Sequence, residues 1–164
     1  MPVSLSNGEF YLSDAIDVIE EILGGGGEFR MYPKGISMLP FIVQGRDSVV
    51  LRRDPEHGAK KHDIAFYRRT DGQFVLHRVM RVCDDGSFVM CGDNQTALER
   101  GIKKEQIIGY VSKLYRGEKE YPFSSLSCKL YIFFWCFMPF RRTVMFIKRI
   151  PGAITRRLKK LFKR

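Results

Sequence analysis

The chain has 164 residues, 45% of them hydrophobic and 28% charged; this excludes a wholly disordered protein and allows one domain with a real core. Its formal net charge of +10 is localised, because eleven Lys or Arg and no acid lie from Tyr121 onward while the preceding body is nearly neutral. Four cysteines without metal-ligand spacing exclude a zinc finger or a disulfide scaffold, and no run approaches the roughly 20 apolar residues of a membrane span.

The N-terminus lacks the basic and apolar regions of an export signal, so the expectation is a chain neither secreted nor spanning. The pattern predicts a helix from Ser13 to Leu23, capped by Ser13, with Ala15, Ile16, Ile19, Ile22 and Leu23 forming one apolar stripe. The run Gly24-Gly25-Gly26-Gly27 ends it, closing an N-terminal segment over 1–27.

Residues 28–120 change texture to short runs rich in Val, Ile, Phe and Tyr. Strands are predicted at Glu28–Tyr32, Ser48–Arg52, Asp63–Tyr67, Phe74–Cys83, Ser87–Cys91 and Ile107–Tyr115, with turns at Asp71-Gly72 and Asp85-Gly86. The body is therefore mainly β. A two-residue turn at Asp85-Gly86 pairs Cys83 with Phe88, Val82 with Val89 and Arg81 with Met90. Extending this ladder brings Gly92-Asp93-Asn94 beside Val79, Arg78 and His77. Strict alternation then puts His77 and Asp93 on opposite faces, unless a bulge or strand end at Gly92 turns the acid.

The tail, 121–164, contains Leu130–Met138, which is apolar on every side but only nine residues long. Extending that run to Ile150 would bury Arg141, Arg142, Lys148 and Arg149, at roughly 2.5–3.5 kcal/mol each near a helix centre. A helix lying in an interface fits better: Leu126, Leu130, Phe133, Phe134 and Phe137 share a face, with Tyr131 and Trp135 at headgroup level. After Pro151-Gly152 a second amphipathic helix sets Ile154, Leu158, Leu161 and Phe162 against Arg156, Arg157, Lys159, Lys160, Lys163 and Arg164. This predicts peripheral attachment to an anionic membrane surface, on the cytoplasmic face that polybasic segments favour. A plain cytoplasmic location, with the aromatic run packed on the protein's own sheet, is the alternative. Nucleic acid is a lesser candidate partner, because aromatics are absent among the terminal bases and no recognition fold is apparent.

The segment Lys34-Gly35-Ile36-Ser37-Met38-Leu39-Pro40 places a serine in a Gly/Pro-bounded turn after a strand, where a hydroxyl is exposed and backbone N–H groups can stabilise an oxyanion. Alone, such a serine is more often a turn residue. A histidine on a strand is likewise more often packed than catalytic, and Asp93 could simply pair with Arg78 across the ladder. Asp47 and Asp63, at loop–strand junctions, read as structural; His57 and His62 read as solvated, and Cys83 and Cys91 as free thiols. No metal or cofactor is expected.

The motifs Gly35-Ile-Ser-Met-Leu-Pro40, Gly45-Arg-Asp-Ser-Val-Val-Leu51, His62-Asp-Ile-Ala-Phe66, Leu76-His-Arg-Val79, Gly92-Asp-Asn94 and Ile108-Gly109 follow one another in an order that resembles the S24/S26 serine peptidase superfamily. That superfamily includes the type I signal peptidases and the LexA-type self-cleaving repressors. The resemblance covers roughly Glu28 to Arg116. It implies a coiled, mostly antiparallel β fold, or partly open barrel, and a serine endopeptidase acting on peptide or precursor substrates.

By the same resemblance Ser37 is the nucleophile, His77 the general base and Asp93 the residue that orients His77. His77 stands where the common bacterial enzymes and LexA-like repressors carry lysine, so the chain looks like the archaeal, endoplasmic-reticulum and sporulation-type branch. An imidazole with a pKa near 6.5 is a competent base at neutral pH. The oxyanion would be held by the Ser37 backbone N–H and by the Gly35 position, where signal peptidases often carry a hydroxyl residue. Members of this branch also tend to have a second acid after Gly-Asp-Asn; here the nearest is Glu99. Two alternatives differ in kind: a LexA-like self-cleaving regulator without a DNA-binding domain, and a non-catalytic membrane or nucleic-acid adaptor that has kept the fold.

Overall fold

The computed structural model describes residues 12–53 and 58–147, the side chains of 12–14 excepted. Helix α1 (Leu12–Gly24) starts one residue before Ser13, which therefore lies in its first turn and is not its cap. Ile16, Ile19 and Leu23 are buried along one side, as the stripe requires. The glycine run closes the helix: Gly25 N–H donates to Glu21 C=O at 2.9 Å and Gly27 N–H to Ile22 C=O at 2.9 Å. Leu23 packs close to Gly109, where a Cβ would lie 3.0 Å from Leu23 Cδ1.

The body is an open antiparallel sheet of eight strands: β1 (Phe29–Met31), β2 (Asp47–Arg52), β3 (Ile64–Arg68), β4 (Phe74–Val82), β5 (Phe88–Cys91), β6 (Glu99–Ile102), β7 (Ile107–Arg116) and β8 (Lys119–Tyr121). Their order is β1-β2-β7-β3-β4-β5-β6, with β8 paired to β7. The sheet does not close into a barrel. All six strands expected from sequence are present, with each end shifted by at most one residue. β6 and β8 were not expected, because Glu99-Arg-Gly-Ile102 and Lys119-Glu-Tyr121 carry little β signal. β2 is buried at its first five positions and β3 at its first four, the near-continuous burial of strands covered on both faces.

The β4–β5 hairpin differs from the expected register. Cys83 N–H donates to Ser87 C=O at 2.8 Å and Gly86 N–H to Cys83 C=O at 3.0 Å, so the loop has three residues, Asp84-Asp85-Gly86, with Gly86 at φ 78°. Val82 therefore pairs with Phe88 and Arg81 with Val89. A bulge between Val79 and Arg81 adds a second one-residue slip, and Arg78 pairs with Cys91. Beyond the bulge the two slips together preserve which side chains share a face, yet they bring His77 level with Gly92 instead of Asn94.

Alternation along β4 separates two environments. Val79 faces a buried cluster with Ala65, Tyr67, Phe88, Met90, Ile102 and Ile107, and His77 shares that face. Arg78 points the other way, its guanidinium carbon 4.8 Å from the centre of the Phe41 ring. There it holds Asp93 with both arms, Nε to Oδ1 at 2.9 Å and Nη2 to Oδ2 at 2.6 Å, and donates to His62 C=O at 2.9 Å. Arg78 and Asp93 are both buried.

Asp47 and Asp63 close turns, as expected: Asp47 accepts from Val43 N–H and Arg46, and Asp63 from Lys60 N–H. His62 is half-buried rather than solvated; His57 lies outside the described residues. Cys83 and Cys91 are free thiols, and Cys91 is buried.

The chain divides after Ser125 into a second unit. It contains α2 (Leu126–Trp135) and α3 (Met138–Ile147), joined by an 83° bend. Neither helix is long and apolar enough to cross a membrane by itself. Leu126, Leu130, Phe133, Phe134 and Phe137, the residues expected to share a face, are all exposed. The helix expected after Pro151-Gly152 lies outside the described residues.

Removing one partner of a buried ion pair leaves the other charge uncompensated, typically at about 3–5 kcal/mol. Asp93→Asn is therefore expected to lower unfolding stability in urea by about that amount; a loss below about 1 kcal/mol would place the pair among weak surface contacts.

Candidate functional site

The sheet brings His77, Glu99 and Tyr67 together from three strands. Ala65 lies opposite His77 across β3–β4, and Tyr67 follows two residues later on the same face. Glu99 pairs with Met90 on β5, next to the strand bearing His77's neighbour, and so reaches the same face from the sheet edge. His77 Nδ1 lies 3.0 Å from Glu99 Oε1 and 3.2 Å from the Tyr67 hydroxyl, and the imidazole is 1% exposed. Tyr67 donates to Glu99 Oε2 at 2.9 Å, and Arg69 donates to both Glu99 oxygens, from Nε to Oε2 at 2.7 Å and from Nη2 to Oε1.

This network assigns the tautomer. An ionised Glu99 can only accept, so Nδ1 carries the hydrogen and Nε2 keeps its lone pair. Burial pushes the Glu99 carboxyl upward, but hydrogen bonds from Arg69 and Tyr67 outweigh it and hold the group below the usual carboxylate range. Burial, reinforced by the hydrogen bond to Glu99, raises the Tyr67 hydroxyl and keeps it protonated. His77 is shifted below the ordinary imidazole value chiefly by burial, against the opposing attraction of Glu99. It is therefore neutral at pH 7, with Nε2 available to accept a proton.

The other edge of the ring meets the serine turn. A Cβ on Gly92 would lie 2.7 Å from Ser37 C=O and 3.0 Å from His77 Nε2, so only glycine lets the turn and the imidazole approach so closely. Asn94 N–H donates to Ser37 C=O at 2.7 Å, fastening the Gly92-Asp93-Asn94 segment to the turn. Ser37 itself is half-buried. Within the turn Leu39 N–H donates to Ile36 C=O and Ile42 N–H to Met38 C=O, and neither bond uses the Ser37 N–H. The Gly35 N–H, in contrast, donates to Gln44 Oε1 at 2.7 Å. Gly35 thus lends the turn its positive φ of 97°, while its N–H is already committed.

The Ser37 carbonyl oxygen and His77 Nε2 both lie within 3.0 Å of the position that a Gly92 Cβ would take. The expected role of Asp93 is corrected: both of its oxygens accept from Arg78 on the opposite face of β4, and Glu99 is the acid at His77 Nδ1. Asp93 also attracts charge on His77, as a smaller contribution than Glu99. Tyr67 and Arg69 are not identified from sequence; Tyr67 lies in β3 and Arg69 directly follows its end, and both reach Glu99. A cavity of about 100 Å³ opens beside Ser37, lined in part by Gly35, Met38, Ile42, Phe74 and Leu76. No family model matches the chain, and neither a curated protein nor a solved structure shows significant similarity to it.

Because the folded imidazole titrates below the ordinary value of 6.5, the unfolded chain binds the extra proton first as pH falls. The stability that His77 contributes is present above pH 6.5 and is lost as pH drops through its folded pKa. NMR titration of His77 is expected to show a midpoint below 6.5; a midpoint above it would contradict the buried, neutral assignment.

Proposed function

We propose that the protein is a serine endopeptidase resembling signal peptidases, held at a membrane surface and cleaving peptide or precursor substrates. The observation that carries this reading is the polarity of His77: its Nδ1 faces an ionised carboxylate, while its Nε2 faces the turn bearing Ser37. That arrangement suits a general base, because an imidazole held in one tautomer can take a proton at one nitrogen while the other stays hydrogen-bonded.

In the proposed reaction the Ser37 hydroxyl attacks the scissile carbonyl carbon as His77 Nε2 removes its proton. The resulting imidazolium is stabilised by Glu99, itself kept ionised by Arg69 and Tyr67. The carbonyl oxygen becomes an oxyanion, toward which the Ser37 N–H is the available backbone donor. Collapse breaks the peptide C–N bond, and His77 returns the proton to the leaving amine. Water activated by the same imidazole then hydrolyses the Ser37 ester. The narrow cavity beside Ser37 favours a small side chain next to the cleaved bond.

Ser37→Ala is expected to abolish labelling by a fluorophosphonate probe and cleavage of peptide substrates while leaving the unfolding temperature unchanged. Equal labelling and turnover in the variant would remove the protease reading.

A further inference from the structure

The bend between α2 and α3 is written into the chain. Pro139 has no N–H and, in an unbroken helix, its ring would clash with the carbonyl four residues earlier, that of Trp135. The helix accordingly stops at Trp135 and restarts at Met138. The carbonyl that Pro139 cannot serve is served from within: Arg141 Nε donates to Trp135 C=O at 2.8 Å, from a side chain with no exposed surface. Cys136 N–H donates to Ile132 C=O at 2.9 Å, and Arg141 N–H to Phe137 C=O at 3.1 Å, so helical hydrogen bonding continues on both sides of the break. An elbow solvated by water would need no such internal donor, whereas one placed in lipid requires its backbone groups to be satisfied by protein.

The outer surface of the elbow is its apolar one. Phe133, Phe134, Phe137, Phe140, Phe146 and Ile147 are all exposed, Phe133 at 72%. This concentration exceeds what scattered surface hydrophobes produce. The sequence from Tyr121 onward adds eleven bases without an acid, a charge complementary to an anionic leaflet. Each helix has ten residues and is therefore about 15 Å long, half of a hydrocarbon core of about 30 Å.

We propose that α2 and α3 form a single-leaflet anchor, seated by this aromatic surface in an anionic lipid monolayer, with the chain entering and leaving on the same side. The proposal rests on the membrane-attached reading above and specifies its depth and topology. Arg141 is a positioning residue here, holding the bend that keeps the two helices from forming one continuous span.

The test uses the full chain, tagged at each end beyond a protease site and reconstituted from detergent into phosphatidylcholine vesicles containing phosphatidylglycerol. A single-leaflet anchor makes the two tags equivalent, so external protease removes both from one molecule or neither. Removal of only one tag from each molecule would show a span and overturn the proposal while leaving membrane attachment intact. Failure to float with the vesicles would instead overturn attachment itself. Phe133→Asp combined with Phe137→Asp is expected to lower flotation about tenfold at unchanged folding of the β body; unaltered flotation would show that this surface is not what enters the lipid.

Discussion

Adjacent residues on an extended strand face opposite ways, and at His77 and Arg78 that constraint governs the whole site. Each needs a carboxylate, and the sheet supplies two from opposite sides. Arg78 takes Asp93 in a buried pair beside Phe41, fixing the segment that crosses beneath the serine turn. His77 takes Glu99 from β6. Were Asp93 turned toward the imidazole, the buried guanidinium would lose its partner, an arrangement that costs about 3–5 kcal/mol. The division of acids gives the guanidinium and the imidazole a carboxylate each.

The second requirement is close approach. Gly92 lies where the serine turn, the imidazole edge and the Gly-Asp-Asn segment converge, and no side chain fits there. The Asn94 N–H bond to Ser37 C=O ties the same elements through backbone alone. On the proposed mechanism, the nucleophile and base are thus held by main-chain geometry, while Arg69, Tyr67 and Glu99 set the electrostatics. This separation lets Glu99, rather than Asp93, be the carboxylate that touches the imidazole.

Much of the fold was legible because its strongest signals are local. The apolar stripe of α1 and the Val/Ile-rich runs of β2, β3, β4 and β7 identify themselves by period and composition. Hairpin register did not, because Asp85-Gly86 suits a two-residue or a three-residue loop equally, and nothing in the residues around Met80 announces the bulge. Those two slips moved His77 from Asn94 to Gly92. Glu99 was visible as a second acid, but its short, charged strand was not, so its distance to His77 could not be inferred. Strict alternation had already placed Asp93 away from His77; the structure satisfies that rule through Arg78. In the tail, the aromatic residues expected to share a face are exposed, whereas the elbow depends on Pro139 and on a side chain two residues later folding back to Trp135.

The central claim is that Glu99 orients His77 and stabilises it as it charges. It is tested most directly by the pH dependence of Ser37 acylation by a fluorophosphonate probe, measured in the native chain and in Glu99→Gln. The account predicts an acidic limb below pH 6.5 in the native chain. In the variant it predicts a rate reduced by about 10²–10⁴-fold, with the limb displaced to still lower pH because the attracting carboxylate is gone. An unchanged rate and an unmoved limb in Glu99→Gln would contradict it.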